Sequence, residues 1–465
     1  MEMPAVAGMT ENMNIALIIY LVFLIAIAVR SARRVKDIPD FFVARKGASA
    51  KAVAGSLVAT ILGGSAVIGA VDSGAKLGGA ASWFMLVGAL GLLALIPFAG
   101  RAYSHGKYAL PDLVKNLYGK GPRLVASFVI PVAWTGIVAA QIIAAAKLLM
   151  TFTSMGYMTA AVVSAAVFTG YTLAGGQVSI LRTDFLQACL IIAGLLLLAG
   201  FAKFGGGEFG SVVASATTSV APKFPFNTNF TPLDLFLLIL TYGTTYTAGP
   251  DIYSRMFCAK DAATAKKAIG MAACVLIPVA FVIGFLAVYG VSLVGVQGAR
   301  ITAIANAVLP PALLPIFALA LLSVVLSSAD TTLLSSSIII NGLCRKPSLL
   351  QARVVILMNG LLALILALVF TDIIGTLLLA LAVYAGAFTV PILWGLLGLK
   401  AKPKFVGAAI VTGGILALAG KLCPALPGSL GSHTGDILMI AAFVVNAIIL
   451  ALGRETRAVK DRFKV

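Results

Sequence analysis

Two carboxylates and an adjacent pair of serines are the residues of this chain best placed to do chemistry. Asp184 and Asp330 each stand inside a long apolar run, and Ser327-Ser328 precede Asp330. A carboxylate at membrane depth costs at least about 2.5 to 3.5 kcal/mol, so it needs a partner or a task, and binding or relaying an ion or a proton is such a task. Asp330 lies three residues beyond Ser327 and so shares its helix face. Each has a plainer reading. Asp184 could anchor the inner interface beside Arg182, and an isolated membrane serine commonly bonds back to the carbonyl one turn earlier. Asp72 and Lys76 have the spacing of a local i,i+4 ion pair. Two apolar runs carry breaks, one at Gly63-Gly64 and one at Gly243 and Gly249-Pro250. Such residues interrupt helical hydrogen bonding and free backbone groups for other partners.

The elements that must position these residues are membrane helices. Of the 465 residues, 60% are apolar and 11% are charged, and the mean hydropathy is +1.06. A soluble domain, about 25% charged, could not hide that much apolar surface. Apolar runs recur thirteen times, near 14–29, 52–74, 80–100, 124–150, 156–174, 183–203, 231–254, 268–294, 310–340, 353–371, 373–398, 405–421 and 436–453. The expected fold is an all-α polytopic membrane protein of about 13 transmembrane helices, forming one transmembrane domain over 1–465. With the N-terminus outside, 28 of the 34 Lys and Arg fall in inward loops and the tail 454–465, as the positive-inside rule asks. The formal charge of +18 is thereby a topological signature, the tail is expected in the cytoplasm and the protein in the cell (inner) membrane, with lipid and not nucleic acid as its surroundings. Five cysteines without a CxxC pair, two histidines and no GxxxxGK[ST] loop argue against a zinc enzyme or an ATP-driven pump. No nucleophile–base pair appears among the spans, so an enzyme is not expected. The oligomeric state is not readable.

The two broken runs are the second and the seventh. They are five apart, and an odd number of spans repeated in sequence inserts upside down relative to its copy. This is the inverted-repeat plan of secondary transporters, whose broken helices meet at a midplane binding site.

Four segments then resemble the sodium:solute symporter family. They are DFFVARKGASAKAVAGSLVATILGGSAVIG entering the second run, TDFLQ opening the sixth, GPDIYSRMFCAKDAATAKKA leaving the seventh, and LLSVVLSSADTTLLSSS in the ninth. The loop segment LPDLVKNLYG adds to them. The resemblance implies a LeuT-type five-plus-five inverted repeat, here 52–203 and 231–398, with one extra N-terminal helix (14–29) and two extra C-terminal helices (405–453). It also implies sodium as the coupling ion, held by the backbone carbonyls of Ala59, Leu62 and Val324 and the hydroxyls of Ser327 and Ser328. A hard cation prefers oxygen ligands, and a broken helix offers carbonyls that a regular one keeps engaged. In relatives with a second sodium site, Asp184, Ser327 and the positions of Asp330 and Thr331 resemble its ligands. Many relatives carry a hydroxyl at position 330, so the acid there leaves three roles open: direct sodium binding, proton acceptance, or pairing with a base.

The expected function is sodium-coupled symport of a small organic solute by alternating access. A proton-coupled carrier using Asp330 or Asp184, and a membrane sensor on the same fold, are the alternatives. The solute is expected to be a small anion or zwitterion with a carboxylate, such as an amino acid, bound where the backbone opens at Gly63, Gly64 and Ser65. Gln141, Tyr242, Thr245 and Tyr246 would line the walls, although such rings also serve as packing. Positions where sugar-transporting relatives place polar contacts are Ala66 and Met85 here, a poor match to a sugar.

Overall fold

The structure, a computed structural model, describes residues 4–33, 35–204, 224–293, 300–344, 346–422 and 434–455. Most of the expected tail, 456–465, lies outside them. Apart from isolated bridges, the described residues form helices joined by short turns. The long ones and the pieces of the broken ones are labelled α1 (Pro4–Ala32), α2 (Ala50–Ile61), α3 (Ser65–Asp72), α4 (Ser82–His105), α5 (Lys120–Phe152), α6 (Tyr157–Phe204), α7 (232–248), α8 (Pro250–Met256), α9 (Ala262–Tyr289), α10 (Leu314–Asn341), α11 (Leu349–Val369), α12 (Ile373–Leu396), α13 (Pro403–Leu422) and α14 (Thr434–Leu452).

Ten of the described helices are long and apolar enough to cross a membrane, or eleven when the bent pair α2 and α3 is taken as one span. Two features separate this count from the thirteen apolar runs. The fifth and sixth runs are joined in the 48-residue α6, which kinks at Gly176 with φ of 54°. Only glycine fits there, because that φ is left-handed and a Cβ would come within 2.4 Å of the Phe41 ring. The seventh run is divided into short pieces by a π-type turn at Ile239–Gly243 and by the break at Gly249.

Polar caps set where the helices begin. Ser49 accepts the Ala52 N–H at the start of α2, Thr231 and Asp234 form a reciprocal capping box at α7, and Asp261 accepts the Thr264 N–H at α9. The outer helices leave apolar side chains such as Ile18, Ile19 and Val22 of α1 exposed, which is the face a bilayer covers. At the centre, α5 and α10 are buried largely by small residues: Ala139, Ala140, Ala144 and Ala146 of α5 are wholly inaccessible. Small side chains let helices approach closely where lipid gives no hydrophobic push between them. α10 packs on α5 and α6, and α4 packs on α9.

Candidate functional site

The second-run break starts where α2 ends. Leu62 leaves helical geometry with ψ of 52° while its N–H still bonds to the Val58 carbonyl at 2.9 Å. The chain re-enters a helix at Ser65 as a π-type turn, and α3 is bent 54° from α2. The seventh-run break is built differently. Gly249 is extended (ψ 134°), Pro250 opens α8, and two carbonyls left at the break find tyrosine hydroxyls: Tyr253 donates to Thr247 O at 3.1 Å and Tyr384 of α12 donates to Ala248 O. Wide turns beside functional breaks are a recurring device.

Facing the first break, α10 presents its serines. The Ser327 hydroxyl lies 2.9 Å from the Ala59 carbonyl, 2.8 Å from Ser323 O and 3.3 Å from Val324 O. Ser328 donates to Thr60 O at 2.8 Å. Ser327 Oγ is therefore in reach of both Ala59 O and Val324 O, and Ser328 Oγ takes the next carbonyl along, Thr60 O. Leu62, three residues beyond Ala59, is the C-cap of α2. Backbone approach is tight here, since a Cβ on Gly63 would lie 2.6 Å from Ser328 Oγ. These are neutral oxygens from two different helices, the set a small hard cation needs to shed its water.

Next to this point is a cavity of about 40 Å³, lined among others by Gly63, Ser65, Gln141, Tyr242, Thr245 and Tyr246. It has room for a few water molecules, so a small organic solute requires its walls to move. Of the expected wall residues, Gln141 does the most definite work: its Oε1 accepts the Gly64 N–H at 2.9 Å, so this freed donor is already engaged. Tyr242 and Tyr246 pack edge to face with centroids 5.1 Å apart, and Thr245 bonds to the Tyr242 carbonyl. Ala66 and Met85 are buried apolar residues. The cavity also includes Asp251 and Trp134, which the sequence reading did not single out. The signal for Asp251 was present, as it follows directly on the Gly249-Pro250 break.

The two acids expected at the ion sites do not line this cavity. Asp184 and Asp330 are fully buried, and so is Arg255, which sequence reading counted among the inner-loop charges. Arg255 lies on α8 and reaches Asp184 Oδ2 at 3.6 Å. It also donates through Nη2 to the Thr331 hydroxyl, which in turn donates to Ser327 O at 2.6 Å. Ser56 of α2 donates to Asp184 Oδ2. Asp184 is thus an interior group paired with Arg255 and not an interfacial anchor of Arg182, whose guanidinium lies 3.5 Å from the Ser31 hydroxyl. Thr331 Oγ1 bonds to Asp330 Oδ1 at 3.3 Å, whereas Asp330 Oδ2 and Asp184 Oδ1 have no hydrogen-bond partner among the described residues.

The local pair expected at Asp72 and Lys76 is not among the ion pairs of the described residues. α3 ends at Asp72 and Ser73 forms a turn, so helical spacing does not carry across, and Asp72 instead accepts the Arg300 N–H at 2.7 Å.

Among curated proteins, the chain is 28% identical over 241 residues to the sodium/proline symporter of Haemophilus influenzae, covering 49% of this chain and 46% of that protein. It is 28% identical over 201 residues to the sodium/myo-inositol cotransporter 2 of Rattus norvegicus, covering 42% and 30%. The matched stretch spans less than half the length of each of these relatives. Among solved structures, a Na+-coupled sialic acid symporter in its substrate-bound outward-open state superposes with a TM-score of 0.74 over 96% of this chain and 98% of that one, at 19% identity. A nucleobase-cation-symport-1 family transporter, in a closed conformation with bromovinylhydantoin bound, gives 0.52 over 89% and 94%, at 13% identity. These likenesses are of fold, and the fold is that of LeuT-type transporters. The model of the sodium:solute symporter family matches residues 41–404, so the chain belongs to that family.

Proposed function

We propose that the protein is a sodium-coupled symporter in which one sodium ion sits between α2 and α10, ligated by the carbonyls of Ala59, Leu62 and Val324 and the hydroxyls of Ser327 and Ser328. The observation that carries this reading is the reach of Ser327 Oγ to both Ala59 O and Val324 O beside the helix break. An ion there ties the first broken helix to α10 and holds the outward-open state; solute binding then permits closure. One sodium ion moving down ~100 mV gains about 2.3 kcal/mol, and a tenfold gradient adds about 1.4 kcal/mol. Residues 52–203 and 231–398 are the two inverted repeats in this reading, with the N-terminus outside, the C-terminus in the cytoplasm and the chain in the cell membrane.

The solute is a small zwitterion carrying a carboxylate. The backbone at Gly63, Gly64 and Ser65 lines the carboxylate's place at the positive end of α3, and Gln141, which holds the Gly64 N–H in the closed cavity, must release it when the solute enters. Asp251 on the cavity wall supplies a counter-charge for an ammonium group, a feature that supports an amino acid over a simple anion. Sodium-driven uptake of labelled proline by proteoliposomes, with competition by other amino acids, monocarboxylates, sugars and polyols, tests it. Inhibition by amino acids is expected. Inhibition by neutral polyols or sugars alone would refute the solute class, and uptake driven by a pH gradient without sodium would favour the proton-coupled alternative, to which Asp330 Oδ2, without a hydrogen-bond partner among the described residues, points.

A further inference from the structure

The residues that resemble a second sodium site, Asp184, Ser327, Asp330 and Thr331, are already served by a cation that belongs to the chain. Arg255 has no solvent exposure, and neither do these four. Its Nη2 lies 3.6 Å from Asp184 Oδ2 and donates to the Thr331 hydroxyl. Two of the four would-be ligands are therefore engaged by guanidinium nitrogen. A third, the Ser327 hydroxyl, is turned toward Ala59 O and Ser323 O. A guanidinium stays charged under all ordinary conditions, so it cannot leave this place by losing a proton.

We infer that Arg255 stands in for the second sodium ion, so that each transport cycle carries one sodium ion; the inference rests on the sodium site proposed above. The charges close on that number. With both carboxyls ionised, the wholly inaccessible Asp184, Asp330 and Arg255 sum to −1, Asp251 at the cavity wall being left to the solute's ammonium group, and one sodium ion at the neighbouring Ser327 and Ser328 site brings the inaccessible group to zero. A second ion would leave it at +1 with no solvent to spread the charge, and unpaired buried charge is among the most costly features a protein can hold. The extra acid at 330 is thus the counterweight to the built-in cation. Arg255 also lies on α8, the half of the broken seventh span that follows Gly249-Pro250, so the substitution of protein charge for ion charge is made on a broken-helix segment.

The test is equilibrium binding of radioactive sodium to the purified full-length chain. Wild type should bind one ion per chain with a Hill coefficient near 1. Arg255→Gln, with the guanidinium removed and both acids retained, should bind two. Two ions in wild type, or a single ion in Arg255→Gln, would overturn the inference while leaving the first site standing. Absence of saturable sodium binding in wild type would instead overturn the sodium site itself, and the inference with it. Should Arg255→Gln not fold, Asp330→Ser gives a second reading: one ion still bound, with affinity lowered about tenfold because one nearby negative charge is gone. Unchanged affinity in that variant would contradict the charge balance.

Discussion

Gly63 and Ser328 should behave as one unit. A Cβ at position 63 would lie 2.6 Å from Ser328 Oγ and 3.3 Å from Ser328 Cβ, and the hydroxyl is held at 2.8 Å from Thr60 O. In Gly63→Ala the hydroxyl must rotate away, which loses a hydrogen bond of about 1 kcal/mol and adds strain of about 1 kcal/mol, for a total near 2 kcal/mol. Ser328→Ala alone loses only the bond, about 1 kcal/mol. With the hydroxyl absent, the 2.6 Å clash disappears and the remaining 3.3 Å contact needs a shift of a few tenths of an ångström. The double variant should then cost about 1.5 kcal/mol, against about 3 kcal/mol for the sum of the singles. Reversible unfolding of the four proteins in mixed detergent micelles measures this. Additivity within about 0.5 kcal/mol would show that the two residues do not touch as described, and the geometry of the proposed sodium site would fail with it.

Gly91→Ala should prevent folding, because its Cβ would come within 2.2 Å of the Gly243 carbonyl, backbone that cannot swing aside; Gly100→Ala, with nothing within 4 Å, should express and melt like wild type or slightly higher. Tyr384→Phe strips the hydroxyl that serves Ala248 O at the second break, and micelle unfolding should show a loss of about 1 to 3 kcal/mol for the unsatisfied carbonyl. In the segment before α2, burial pushes the Asp40 carboxyl up, but Arg45 at 2.5 Å and the Lys36 N–H at 3.0 Å outweigh it and hold the group below its usual range. A depressed folded value adds stability above the unfolded value and loses it as pH falls through the folded one. Melting temperature should therefore drop below about pH 4, and Asp40→Asn should flatten that acid limb.

What could be read from the sequence was what is local in it. The Gly63-Gly64 break, the Gly249-Pro250 break and the Ser327-Ser328 pair are each written in two adjacent letters, and the structure joins the first break to the serines in one place. Arg255 was not legible, because a basic residue following Gly249-Pro250 looks like the start of an inward loop. Its burial depends on Thr331, 76 residues away in sequence, and on Asp184 of a third helix. Asp184 and Asp330 were recognised as costly groups, yet the partner that offsets the cost of the first could not be named without its helix. The expected Asp72–Lys76 pair failed for a related reason: spacing predicts a contact only where the helix continues, and it stops at Asp72. Gly176 shows the same limit from the other side, since a kink within α6 and a loop between two helices leave similar marks in an apolar sequence.

Whether a sodium ion binds between the first helix break and α10 is decided by thermal unfolding of the purified protein in sodium chloride against potassium chloride at equal ionic strength. An ion that binds only the folded state stabilises it by about 2.7 kcal/mol at a hundredfold excess over its Kd. The melting temperature of wild type should rise with sodium and not with potassium. In Ser328→Ala, which lacks one of five ligands, the rise should shift to tenfold or higher sodium concentration, as a lost bond to a charged group costs about 1.5 to 3 kcal/mol. Equal melting curves in the two salts, or an unchanged sodium response in Ser328→Ala, would contradict sodium binding at this place.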